Sequence, residues 1–171
     1  MSKFSEIMTG YKIYEGETDF YGIGDVELPQ IVNITEEMSG AGVAGKYKAT
    51  VIGAIEAMEM AINLRNPTTD GARLNEAREH MLTIRVNVQE RDTTKCVKQV
   101  GIKYVAKFEP YSYAPGKVAN YSTGDSKITG TVTYFAQYVN GVETLLVDQF
   151  NYIYRVNGVD YMADIRKNLG I

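Results

Sequence analysis

Residues 128–154 read ITGTVTYFAQYVNGVETLLVDQFNYIY, and they carry the strongest strand and turn signals of the chain. Apolar and β-branched residues recur through its two halves, 128–139 and 142–154. Between the halves stands Asn140-Gly141, the dipeptide that most strongly favours a tight β-hairpin because both of its residues accept positive φ. The stretch therefore predicts a long antiparallel hairpin and an antiparallel sheet built around it.

The same two-residue alternation predicts further strands upstream. Apolar side chains occupy every second position from Val100 to Phe108 and from Ile84 to Val88. Residues 54–64 contain good helix formers, yet their apolar side chains also share one strand face, and we interpret the segment as a strand. The thirteen tyrosines suit such a protein because a phenol buries its ring while its hydroxyl stays hydrated.

Two helices interrupt the strand pattern. We predict one over residues 71–82, capped by Asp70, because apolar residues there share a face at helical spacing. A short C-terminal helix follows the turn Asn157-Gly158 and ends near Gly170, a residue that suits a helix C-terminus. Two stretches rich in glycine or proline are predicted to be long exposed loops, at 36–48 and 110–127.

The 171 residues are enough for a single domain, 1–171, with a full hydrophobic core. The net charge of −3 provides no basic surface for gripping nucleic acid. The charge is nevertheless uneven, since residues 1–64 hold 4 basic and 10 acidic residues whereas residues 65–120 hold 10 and 6. This asymmetry either steers head-to-tail contacts between copies, or the unlike charges are simply spread over a solvated surface.

The sequence also bears on the compartment. The single cysteine, Cys96, excludes an internal disulfide, so the fold does not depend on an oxidising environment. The N-terminus lacks the apolar stretch of a signal peptide, and no window approaches the roughly 18 apolar residues of a membrane span. We therefore expect a protein made in the bacterial cytoplasm, without integral membrane association.

Several motifs suggest chemistry, but their surroundings do not support it. Residues 40–45 match G-x-G-x-x-G, yet polar and acidic residues precede them where a dinucleotide fold needs a buried strand. Tyr113 and Lys117 have the spacing of some dehydrogenases, but Pro115 and Gly116 break the helical turn this requires. His80 has no cysteine at metal-ligand spacing and is expected near a helix end. We expect no catalytic residue, metal or cofactor, and no enzymatic activity.

Two groups of short motifs resemble a known family. Those in the C-terminal third are Ser126-Lys127-Ile128, Thr133-Tyr134-Phe135, Val142-Glu143, Asp148, Asn151, Val156-Asn157-Gly158-Val159-Asp160 and Arg166-Lys167-Asn168-Leu169-Gly170-Ile171. Those upstream are Gly24-Asp25-Val26-Glu27-Leu28-Pro29 and Ser39-Gly40-Ala41-Gly42-Val43-Ala44-Gly45. In this order and spacing they resemble the major tail tube protein of contractile-tailed phages and R-type tailocins, whereas residues 50–120 match only in pattern.

The resemblance implies a mainly β subunit, sandwich-like or barrel-like and similar in fold to the type VI secretion tube protein. Such subunits form hexameric rings that stack into a hollow tube inside a contractile sheath. The implied partners are sister copies, a sheath protein, a baseplate or tube initiator and a tape measure protein. A phage tube passes DNA without sequence-specific binding and a tailocin tube dissipates the membrane potential, so the implied location is a virion tail or a tailocin particle.

The residue pattern supports a tube independently, because exposed strand edges can pair with sister copies around a ring. We predict that the loop 36–48 makes the inter-ring contact, through Glu36, Glu37, Ser39, Gly40, Gly42, Gly45 and Lys46. A second contact is predicted in the segment 156–171, through Asn157, Gly158, Asp160, Arg166 and Asn168. A bore that passes DNA must be neutral or acidic. The candidates for its wall are Glu56, Glu59, Thr129, Thr131 and Thr133.

Two other classes of protein remain as alternatives. A small-ligand-binding β-barrel would also be mainly β, but it predicts a monomer with an apolar cavity. An oxidoreductase would depend only on the two weak motifs at residues 40–45 and at Tyr113 and Lys117. Rings or tubes of purified protein under the electron microscope distinguish the first interpretation from both alternatives.

Overall fold

The computed structural model describes residues 3–20, 23–40, 42–92 and 96–171. Within these ranges there are two short helices, α1 (Thr69–Arg73) and α2 (Ala163–Leu169). The strands are β1 (Lys3–Glu15), β2 (Thr18–Phe20), β3 (Ile23–Glu27), β4 (Asn33–Ser39), β5 (Lys46–Ile55), β6 (Met58–Leu64), β7 (His80–Asp92), β8 (Val97–Ala114), β9 (Ser126–Val139), β10 (Val142–Asp148), β11 (Ile153–Val156) and β12 (Val159–Asp160). The predicted mainly β class is confirmed.

The main sheet is antiparallel throughout and forks at β9. Its order is β12-β11-β10-β9-β8-β7-β1-β2. The edge of β9 opposite β8 is shared, because residues 134–139 pair with β10 whereas residues 126–132 pair with β6. Strand β6 in turn pairs with β3. Among the described strands no ladder joins β3 to β1 or β2, so the sheet curls around its core without closing into a barrel.

The core lies inside this curl and is built by two-residue alternation. Each strand turns every second side chain inward, which is the period the sequence shows. The hydrophobic cluster takes Met58, Met60, Ile62, Leu64, Leu82, Ile84, Val86 and Val88 from β6 and β7, packed with Ile13, Tyr104, Phe108, Ile128 and Val132. The predicted strand at residues 54–64 is thus confirmed over Met58–Leu64, where packing outweighs the helix propensity of its residues.

The predicted hairpin at Asn140-Gly141 is confirmed, with φ of 49° and 81° at the two residues. The second strand is shorter than predicted, because β10 ends at Asp148 rather than running on to residue 154. The Asp148 carboxylate accepts hydrogen bonds from the amides of Phe150 and Asn151 at 3.1 and 3.0 Å, and this local turn interrupts the strand. The chain then pairs again as β11.

The prediction of a helix over residues 71–82 is wrong in extent and in its cap. Helix α1 covers only Thr69–Arg73, and the hydroxyl oxygen of Thr68, not Asp70, accepts the capping bond from the amide of Gly71 at 2.9 Å. Residues from His80 onward belong to β7 and pair with β8 along its length. Cross-strand pairing and burial in the core therefore override the local helical pattern.

The two predicted loops are also shorter than expected. Residues 36–48 are mostly strand, because β4 and β5 form a hairpin whose described tip residues are 40 and 42–45, with Ala41 outside the described residues. Strand β8 extends to Ala114 and β9 begins at Ser126, so the predicted loop 110–127 is confined to residues 115–125. At the C-terminus the turn at Asn157-Gly158 and helix α2 are as predicted.

None of the helices in the described part of the chain has the length and apolar character needed to cross a membrane.

Candidate assembly interface

The β4–β5 hairpin is a separate two-stranded sheet with two different faces. Met38 lies directly opposite Tyr47, and Glu36 lies opposite Ala49, so these four side chains share one face. The other face carries the opposed pairs Glu37 with Lys48, Ser39 with Lys46 and Thr35 with Thr50. On that polar face the ammonium of Lys46 donates to the Glu37 carboxylate at 2.6 Å. The hairpin is therefore amphipathic.

Its apolar face is open to solvent. Met38 is 47% exposed and Tyr47 is 50% exposed, and Ile34 and Val51 near the base are exposed as well. An isolated two-stranded hairpin is at best marginally stable in water, and an apolar face of this kind marks a contact surface. Among the described strands only β4 and β5 pair in this sheet, so their outer edges also keep unpaired backbone groups.

The base of the hairpin is held by the C-terminal segment. Gly53 has φ of 77°, and a Cβ atom there would lie 1.7 Å from the Sδ atom of Met162, so only glycine fits. Met162 is buried just before α2. The hairpin base and Met162, together with Tyr152 and Ile165, line an apolar groove. The direction of the hairpin and the position of α2 are thus coupled.

The C-terminal segment is tied to its own body by Arg166. The guanidinium donates to the Asp160 carboxylate at 2.6 Å and to the carbonyl oxygen of Tyr152 at 2.6 Å. The hydrogen bond from Arg166 lowers the pKa of Asp160, in spite of the opposing effect of burial. Asp160 and Arg166, both predicted to contact a neighbouring subunit, therefore pair with each other within the chain.

The remaining predicted contact residues lie on the surface. Glu36, Glu37, Ser39 and Lys46 are on the hairpin strands, and Gly40, Gly42 and Gly45 are at its tip with positive φ. In the C-terminal segment Asn157 and Gly158 form the β11–β12 turn, and Asn168 is exposed on α2. Large apolar side chains are exposed around them at Phe150, Val159, Tyr161, Leu169 and Ile171.

Three of the five predicted bore residues share one face of the sheet. Glu59 lies opposite Thr131, and Ala61 lies opposite Thr129, so Glu59, Thr129 and Thr131 point outward together from β6 and β9. Thr133 lies at an irregularity in the β8–β9 register and is half-buried. Glu56 lies in the connection between β5 and β6, and it lines one surface pocket with Glu59 and Thr129.

A further contact surface on β1 was not foreseen from the sequence. Among the described strands, residues 3–12 pair with β7 alone, because β2 covers β1 only from Ile13 onward. This free edge carries Phe4, Ile7 and Met8, which are exposed by 59–63%. Its apolar residues fall on both faces of the strand, so the sequence shows no two-residue alternation there. Only the density of apolar residues could have indicated a contact surface.

The metal-ligating residue types and the dehydrogenase-like pair can be located in the structure. No group of three or more histidine, cysteine, aspartate or glutamate residues among the described residues could hold a metal ion. Tyr113 lies in β8 opposite Ile128, while Lys117 pairs with Asp125 at 3.0 Å in the loop that follows, so the dehydrogenase-like pair serves structural contacts. What the exposed surface offers is apolar area and unpaired strand edges.

Comparisons with known proteins agree with a surface of this kind. A search of curated proteins finds no match to the sequence. The family model described as phage tail tube protein FII matches residues 5–170. Because that match covers nearly the whole chain, the chain belongs to the family of phage tail tube protein FII, structural proteins of the virion tail.

Proposed function

We propose that copies of this chain close into hexameric rings and that the rings stack into the hollow inner tube of a contractile tail. The single observation that carries the proposal is the amphipathic β4–β5 hairpin, which extends from the body with its apolar face uncovered. A monomer gains nothing from such a face, whereas a stacked ring buries it. The resemblance of the C-terminal motifs to contractile-tail tubes supports the hexamer and the sheath.

The contacts within a ring use unpaired strand edges. The free edge of β1 over residues 3–12 is long enough to pair with a different edge on a neighbouring copy, and its exposed side chains Phe4, Ile7 and Met8 supply apolar area. A contact between two different surfaces is heterologous, and it closes into a ring when the rotation between copies divides a full turn. Obligate contacts of this kind bury on the order of 2,000 Å² or more.

The contacts between rings use the hairpin, with the segment 156–171 as its support. Because Gly53 seats against Met162, helix α2 sets the angle at which the hairpin leaves the body. Glu59, Thr129 and Thr131 share their face with Lys127, whose charge is balanced by Glu27 at 2.8 Å. A stretch without excess positive charge suits the wall of the bore, since such a wall does not hold DNA by counterion release. The tube would be assembled in the bacterial cytoplasm with sheath, initiator and tape measure proteins.

The experiment removes the apolar face without changing the fold. The double substitution Met38→Ser and Tyr47→Ser keeps the strand but makes this face polar. We expect folded protein that forms no stacked tubes in negative-stain microscopy or sedimentation. The matched control is Thr35→Ala with Thr50→Ala, an opposed pair on the other face of the same hairpin, which should assemble normally. Normal tubes from the Met38/Tyr47 variant would refute the hairpin as the stacking element.

A further inference from the structure

Two cations stand side by side on the outward face of the main sheet. Arg85 on β7 lies directly opposite Lys103 on β8. Each cation rests on a tyrosine ring: the Arg85 guanidinium lies 5.7 Å from the centre of the Tyr14 ring, and the Lys103 ammonium lies 4.3 Å from that of Tyr138. The four side chains form a patch that is aromatic and positively charged, and we call it the cation–tyrosine patch.

Among the described residues no carboxylate forms an ion pair with Arg85 or Lys103, although Glu17 lines one surface pocket with Tyr14 and Arg85. The neighbouring carboxylates already have cations of their own: Asp19 pairs with Lys12, Glu79 pairs with Lys107 at 3.3 Å, and Glu143, which lies opposite Tyr138, pairs with Arg155 at 3.1 Å. Like charges directly opposite each other on a sheet are destabilising. Arg85 and Lys103 therefore lie side by side without an ion pair in the described part of the chain, and an incoming carboxylate would be stabilised by both.

The apolar face of the hairpin carries one carboxylate, that of Glu36. Glu36 shares that face with Met38, Tyr47 and Ala49, and no ion pair to it occurs in the described part of the chain. The adjacent Glu37 differs, because it lies on the polar face and already binds Lys46. If the apolar face were buried with Glu36 unpaired, the desolvated charge would oppose association.

We propose that the cation–tyrosine patch is the receptor for the stacking hairpin of another copy, with Glu36 of one copy bound between Arg85 and Lys103 of the next. This inference rests on the proposed function and specifies its inter-ring contact. The two surfaces match in kind: a carboxylate within an apolar face meets two cations flanked by tyrosine rings. Such a contact joins different surfaces of identical chains, so it propagates as a stack instead of ending at a dimer.

The test is an exchange of charge between two variants. In the Glu36→Lys variant, the new ammonium of one copy meets the Arg85 guanidinium of the next. In the Arg85→Glu variant, the Glu36 carboxylate of one copy meets the new carboxylate of the next. We expect each variant alone to lose tube assembly by at least about tenfold in the sedimenting fraction, since like-charge contacts strongly suppress association. We expect an equimolar mixture of the two to recover tubes, because each hairpin then finds an opposite charge on the other variant.

The controls keep the same charge changes away from this contact. Glu109→Lys reverses an exposed carboxylate on β8, and Lys98→Glu reverses an exposed cation farther along the same strand. Both should assemble as the wild type does, and circular dichroism should show all four variants folded. Normal tubes from either Glu36→Lys or Arg85→Glu alone, or a mixture that stays unassembled, would overturn the pairing while leaving the hairpin function standing. A wild-type protein that forms neither rings nor tubes would overturn both.

Discussion

Replacing Glu15 with glutamine should destabilise the folded subunit far more than breaking a surface ion pair on the same strand. The Glu15 side chain is 13% exposed and its carboxylate accepts from Arg78 at 2.7 and 3.1 Å. His80, fully buried, places its Nδ1 atom 2.9 Å from the same carboxylate, while its Nε2 atom lies 3.2 Å from the carbonyl oxygen of Glu76. Glu15 thus joins the end of β1 to the turn before β7.

The size of the effect follows from which bonds water can replace. The Arg78 side chain is 44% exposed, so water takes over much of its bonding and the loss there is about 0–1 kcal/mol. Water cannot reach His80, and a hydrogen bond to a charged group contributes about 1.5–3 kcal/mol. We therefore expect Glu15→Gln to lower the free energy of unfolding by about 3 kcal/mol.

Urea unfolding followed by circular dichroism measures this loss. The Met38/Tyr47 hairpin variant provides a background in which assembly does not add to the measured stability. The matched control is Asp19→Asn, which breaks the Lys12–Asp19 pair on exposed side chains and should cost at most about 1 kcal/mol. If Glu15→Gln lost no more stability than Asp19→Asn, the bonding of Glu15 to buried His80 would not stabilise the fold as argued.

Three further outcomes are expected. Burial by itself raises the pKa of Glu15, but hydrogen bonds from Arg78 and His80 outweigh it and lower the pKa from its ordinary value. The stability that Glu15 contributes is therefore present above the unfolded-state pKa and is lost as the pH falls through the folded-state pKa. Urea titrations of Glu15→Gln should show a smaller loss of unfolding free energy at acid pH than the wild type shows. Gly130→Ala puts a Cβ 2.5 Å from the carbonyl oxygen of Glu109 and should cost about 1–3 kcal/mol, whereas Gly101→Ala, with nothing within 4 Å, should change thermal stability little. Gly53→Ala should speed hydrogen exchange in α2, because the new methyl group displaces Met162; unchanged exchange would show that hairpin and helix are not coupled.

Much of the fold could be predicted because its signals are local. Two-residue alternation marked β6, β7 and β8, and Asn140-Gly141 and Asn157-Gly158 marked two turns whose φ values are positive as expected. The helix over 71–82 failed because a helical pattern of apolar residues was weaker than pairing between β7 and its neighbours. The loop predicted at 36–48 is mostly strand, because its glycines are confined to the tip of the hairpin.

The candidate interface was predictable only in part. The sequence pointed to residues 36–48 as a contact region, but not to the two faces of the hairpin, because its register depends on backbone pairing across the strands. It also placed Asp160 and Arg166 at a subunit contact, although the passage of the chain from β12 into α2 brings them together within the chain. The free edge of β1 is visible only once β7 and β2 are seen to cover the rest of that strand.

The strand-rich class, the tight turns and the unequal distribution of charge can be read along the chain, since each depends on residues close together in it. Which side chains meet depends on the folded sheet. Arg85 and Lys103 are separated along the chain by the β7–β8 connection, and the register of that antiparallel pair alone brings their charges side by side. The contact of His80 with Glu15 and that of Gly53 with Met162 also join residues far apart in the chain. Such contacts form only when the whole sheet is folded.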